Sequence, residues 1–103
     1  SKKTLDGDLR NGRYLFEDIC INCHRFNASG DLVFGSSPLT GLQDWYILAQ
    51  LTKFRAGVRG AHKDDEKGAK MHQLTGYLKE KELIDVASYI PLLAEKFLTK
   101  NRP

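Results

Sequence analysis

The apolar positions of this chain fall into stretches of helical period, divided by polar segments rich in glycine. Between residues 6 and 20, Leu9, Gly12, Phe16 and Ile19 recur at spacings of three and four, which places them on one face of a helix. Asp6 or Asp8 is available as its cap. A glycine in mid-helix costs about 1 kcal/mol against alanine, so Gly12 implies close contact with another helix. Residues 26–42 contain Gly30, Gly35, Ser36, Ser37, Pro38 and Gly41 and read as loop. A second helix starts with Asp44 as N-cap, runs to Ala56 and stops at Gly57, with Ile47, Leu48, Leu51 and Phe54 as its buried stripe. Residues 57–70 are polar and read as a further loop or a few short turns. From about Lys79 a third helix carries Leu83, Val86, Ala87 and Ile90 at helical period. Pro91 is expected to break or kink it, and Leu92, Leu93, Phe97 and Leu98 then form another segment with an apolar face. No alternating run and no Asn-Gly hairpin signals a strand. The pattern predicts an all-α domain, residues 1–103, with substantial loop.

Composition sharpens this picture. With 103 residues, 41% of them apolar, and nine glycines, the polypeptide alone builds a thin core. A large bound apolar group would complete it. Sixteen basic residues against thirteen acidic ones give a net charge of +3, spread along the chain without an arginine-rich tract or a basic helical stripe. That distribution argues against nucleic acid as a partner. No run approaches the roughly 20 apolar residues of a membrane span. The Ser1-Lys2-Lys3 start reads as a processed or trimmed end, so the lack of a leader there carries no weight.

The chemistry concentrates in "DICINCHRF", which holds both cysteines of the chain, Cys20 and Cys23, with His24 directly after the second. A disulfide between them would close a very small ring and stabilise little. A redox dithiol of this spacing needs a βαβ setting, and strands are missing from the pattern. Structural zinc needs four ligands, and His62 and His72 are too far apart to complete a finger. C-x-x-C-H remains, the attachment signature of haem c. Two thioether bonds to the vinyl groups must come from one edge of the porphyrin, and three residues of a tightening helix end set both sulfurs there. The next imidazole is then delivered to the iron.

A sixth ligand is available in Met71, the single methionine. A lone methionine is usually core filler, but "KGAKMHQL" is a polar setting for a filler, and a long loop separates it from His24. A His/Met pair raises the iron potential and suits electron transfer rather than oxygen chemistry. His62 and His72 are the competing ligands. Pro38 offers its carbonyl to the other ring N–H of His24, a bond that would fix the imidazole, although an ordinary loop proline reads equally well. Trp45, Tyr46 and Arg59 can donate to haem propionates. Core packing for the two aromatics and a solvated surface for Arg59 are the plainer alternatives.

With these residues in place the chain resembles a class I c-type cytochrome from about Gly7 to Ile90. Gly12 and Phe16 match the contact positions of that family's N-terminal helix and "DVASYI" its C-terminal helix, so Val86 and Tyr89 are expected to pack across Gly12 and Phe16. "PLTGLQDWYILAQLTKFRAGVRGAHKDDEKGAKM" is similar to bacterial periplasmic members. These include small monohaem or dihaem cytochromes and the cytochrome c domain fused to subunit II of haem-copper oxidases. Lys79-Glu80-Lys81 departs from the Ser, Thr or Asp cap usual at the last helix, which suggests a fraying end that Glu80 partly offsets.

The resemblance implies three to five helices and long loops wrapped around one haem c, attached through Cys20 and Cys23, with His24 and Met71 on the iron. It implies a one-electron carrier rather than an enzyme, in the periplasm or facing it. Its partners would be redox proteins, such as a membrane terminal oxidase or a quinol-oxidising complex. Lys2, Lys3, Arg10, Arg13, Arg25 and Lys53 are candidates for a positive rim that steers an acidic partner. The alternatives are an electron-entry domain of a membrane oxidase, and a haem sensor or peroxidase-like protein with a displaceable sixth ligand.

Overall fold

The computed structural model describes residues 3–20, 33–34, 37–38, 42–57 and 66–100. Helix α1, Leu9–Leu15, continues directly into a five-residue π-helical segment, Phe16–Cys20. Asp8 is the cap, accepting from the backbone N–H of Arg10 at 3.0 Å and of Asn11 at 3.1 Å. A two-residue antiparallel ladder, β1 Val33–Phe34 with β2 Ser37–Pro38, pairs Val33 with Pro38. The chain then forms α2, Asp44–Arg55, α3, Glu66–Gly76, and α4, Glu80–Lys100.

The helices form the expected all-α arrangement: α1 packs on α4, and α2 packs on both α4 and α3. The α1–α4 seam explains Gly12. A Cβ built there would lie 2.7 Å from the carbonyl carbon of Asp85 and 2.9 Å from the Cβ of Tyr89, so only glycine lets the backbones come this close. Phe16 and Tyr89 meet across the same seam with centroids 5.9 Å apart and rings tilted by 55°, and Val86 is buried in the same apolar cluster. The stripe of α2 is also as read, with Ile47, Leu51 and Phe54 buried and Leu48 packed against the core. Gly57, at φ +80°, takes the left-handed turn that ends α2.

Five details differ from the sequence reading. The β1–β2 ladder lies within the stretch read as loop, too short to show an alternating pattern. Asp44 is the first residue of α2 rather than its cap, and Gln43 holds the cap position. The Asp44 carboxylate accepts instead from the Thr4 hydroxyl and N–H, the Leu5 N–H and its neighbour Trp45 N–H, pinning the N-terminal segment to α2. Residues 66–70 belong to α3 rather than to a loop. Met71, Leu74, Thr75 and Leu78 lie at i, i+3, i+4 and i+7 and face inward to differing depth, a stripe broken in the sequence by the hydroxyl of Thr75. Pro91 does not end α4, which runs on to Lys100. The missing N–H removes one helical bond to Ala87, and burial of Ala87, Ile90 and Pro91 offsets that loss. Finally, the start of α4 is capped: Glu82, at the third helical position, accepts from the Lys79 N–H at 3.0 Å, the glutamate half of a capping box.

Candidate functional site

The π-helical segment carries the chain from the α1–α4 seam to Cys20, the first residue of the C-x-x-C-H string. A π turn widens the helix locally and is frequent at functional sites. Cys23, His24, Arg59 and His62 lie outside the described residues. Pro38 sits in β2 opposite Val33, and its proposed acceptance from His24 lies outside them as well.

Met71 is the predicted site residue whose surroundings are best defined. It is 7% exposed and belongs to the same apolar cluster as Leu15 and Phe16, the residues that lead toward Cys20. Its turn is fastened from within α3: the Thr75 hydroxyl, itself buried, donates to the Met71 carbonyl at 2.7 Å. His72, one residue on, is exposed and reaches the other way, its Nδ1 lying 2.7 Å from the carbonyl oxygen of Phe54. The two competing ligands of this stretch are thus sorted by environment: the thioether faces the core, and the imidazole is engaged at the end of α2.

Trp45 and Tyr46 are 57% and 42% exposed at the start of α2 and form an edge-on pair with centroids 6.1 Å apart. Neither packs in the core, which removes the plainer alternative of core packing. Of the basic residues, Lys3, Arg10, Arg13 and Lys53 are exposed. Arg13 is bonded to Glu17 at 3.1 Å, and that bond and its charge raise the guanidinium pKa. Lys2 and Arg25 lie outside the described residues.

Sequence reasoning missed two buried carboxylates that set the frame of the site. Burial pushes the Asp44 carboxyl up, but the Thr4 hydroxyl and the Leu5, Thr4 and Trp45 N–H groups together hold it below the usual carboxylate range. Asp85 is held low in the same way, against its burial, by the Asn11 amide, the Asp8 N–H and Lys81. Their partners on the N-terminal segment lie about 40 and 77 positions away, so no local pattern announces them.

Among the described residues no helix is long and apolar enough to cross a membrane. The donor set fits haem c: the π-helical segment ends on the first thiol, the second thiol and an imidazole follow three and four positions on, and one thioether is buried in the cluster from which that segment emerges. No curated protein matches the chain. The family model described as Cytochrome c matches residues 9–93, from the first residue of α1 into α4 past Pro91. Proteins of that family attach haem c covalently, typically one in a domain of this size, transfer electrons through it, and are typically extracytoplasmic. With that match over most of its length, the chain belongs to the cytochrome c family, and its cofactor is covalent haem c.

Proposed function

We propose that this protein is a one-electron carrier of a bacterial respiratory chain, working in the periplasm or on a domain that faces it. Cys20 and Cys23 hold the haem covalently, His24 is the proximal ligand and Met71 the distal ligand. Pro38 orients His24 through its carbonyl, while Trp45, Tyr46 and Arg59 bind the propionates. When bound, haem c supplies an iron centre that cycles between ferric and ferrous states.

The observation that carries this reading is the burial of Met71. A thioether in an apolar cluster meets no competing hydrogen-bond donors, and burial keeps water from the sixth position. The helical frame fixes the sulfur before and after an electron arrives, so little rearrangement accompanies the change of charge. A filled sixth position suits outer-sphere transfer rather than ligand sensing or peroxide chemistry. The exposed cations Lys3, Arg10 and Lys53 favour an acidic redox partner, such as a terminal oxidase or a quinol-oxidising complex.

The test is the absorption spectrum of the holoprotein in both oxidation states. The reading requires sharp reduced bands of c-type haem and, in the oxidised protein, the weak far-red sulfur-to-iron band. Haem bands without that feature would remove Met71 from its role, and carbon monoxide binding at neutral pH would then favour an open site.

A further inference from the structure

His72 has no part in the function just proposed, yet its side chain occupies a defined seat. The Phe54 carbonyl can only accept, so the contact at 2.7 Å places the ring proton on Nδ1 and makes His72 the donor. Phe54 lies in the last turn of α2, where carbonyls run out of helical partners. The same oxygen also receives the Gly57 N–H at 3.1 Å. Gly57 turns its Cα toward the imidazole: a Cβ there would lie 3.5 Å from His72 Cε1. A helix end and a glycine face together hold the ring.

The seat bears on Met71 through helix geometry. Consecutive residues are about 100° apart around a helix, so Met71 can point into the core while His72 reaches sideways to α2. Fixing the direction of one side chain fixes the rotation of the other about the α3 axis. Helix α2 is the main packing partner of α3 among the described elements, which makes a hydrogen bond between them a natural stop for rotation and sliding. The Thr75 hydroxyl, bonded to the Met71 carbonyl and at 3.3 Å to that of His72, stiffens the turn that links the two.

We propose that His72 is a positioning residue for Met71: its Nδ1–H bond to the Phe54 carbonyl sets the rotation of α3 and so aims the thioether sulfur at the iron. This rests on Met71 being the distal ligand. A tether of this kind matters because an outside ligand competes for the sixth position whenever α3 turns away.

The test compares His72→Leu, which removes the donor, with His72→Asn, whose amide nitrogen falls near the place of Nδ1. Three quantities are read on the holoproteins: the amplitude of the far-red band and the apparent affinity for added imidazole in the ferric state, and the midpoint potential from a redox titration between the ferric and ferrous states. For His72→Leu the expected result is a weakened band, a lowered potential and imidazole binding roughly three- to tenfold tighter, the worth of one hydrogen bond. His72→Asn should return all three toward wild type, which a residue that merely fills space would not do. If the leucine variant does not accumulate, His72→Gln, whose amide sits one bond too far out, takes its place. A wild-type band that survives undiminished in His72→Leu, or an asparagine variant as impaired as the leucine one, overturns the tether alone. A wild-type protein without the band overturns the Met71 assignment, and the tether with it.

Discussion

Replacing Asp85 with asparagine tests the frame on which the site is built. The Asp85 side chain is only 1% exposed, and its oxygens receive the Asp8 N–H at 2.7 Å, the Asn11 amide at 2.8 Å and the Lys81 ammonium at 3.0 Å. An amide offers a single acceptor oxygen and turns an NH2 toward groups that are themselves donors. A hydrogen bond to a charged partner is worth about 1.5–3 kcal/mol, while the bond to Lys81, whose side chain is 73% exposed, adds little. Losing most of the two bonds to α1 and its cap therefore costs about 3 kcal/mol, a large share of the 5–15 kcal/mol typical of a domain. At about 4–8 °C per kcal/mol for a chain of this size, the variant should melt about 12–24 °C below wild type. Thermal melts of both holoproteins by far-ultraviolet circular dichroism, from neutral to acid pH, measure this. The folded-state pKa of Asp85 lies below its unfolded value, so its contribution is complete above about pH 4 and is lost as the pH falls through the lower folded value. The gap between wild type and variant should be widest at neutral pH and close in acid. A gap under about 1 kcal/mol at pH 7, or one that persists unchanged into acid, would refute the reasoning.

Further changes separate strong contacts from weak ones. Gly12→Ala puts a Cβ into the backbone of Asp85 and should cost about 2 kcal/mol in denaturant unfolding, despite the better helix propensity of alanine. An unchanged midpoint would mean that the seam gives way freely. Gly57→Ala forces an alanine to φ +80° and should cost about 1 kcal/mol by the same measurement. Arg13→Ala breaks an exposed pair, with side chains 64% and 52% accessible, and should shift stability by less than about 0.5 kcal/mol. A larger loss there would mean that Arg13 supports the seam.

The parts of the fold that were legible are those whose signal is local. Asp8 as cap, the stripe of α2, the Gly57 stop and the apolar face of α4 are all written within a turn or two of where they act. Gly12 was legible for a different reason: a residue that disfavours its own helix must serve a contact. The stripe of α3 was hidden because a buried threonine counts as polar until its hydroxyl is seen bonded to Met71. Asp44 misled because an aspartate ahead of an apolar run satisfies the rule for a cap, whereas its actual partners, Thr4 and Leu5, are about 40 positions away. Pro91 was expected to break or kink the helix, and the break is absent because burial around the proline offsets one missing hydrogen bond. The C-x-x-C-H string was plain in the sequence because its chemistry requires contiguous residues. Met71 was chosen for its polar surroundings in the sequence, and there the pattern misled: the residue lies on the buried stripe of α3, so its role rests on the spectrum of the holoprotein.

The seam between α1 and α4 also bears on how the chain finds its fold. Joining Asp8 to Asp85 closes a loop of 77 residues, a contact between distant positions of the kind that slows folding. Cys20 and Met71 both lie inside that loop. On the proposed ligation, the prosthetic group bridges them and shortens what remains to be closed to about a third, which lowers the entropic cost by about 1 kcal/mol. Ligation of the attached haem by Met71 would then speed the docking of two helices to which the haem need make no contact at all.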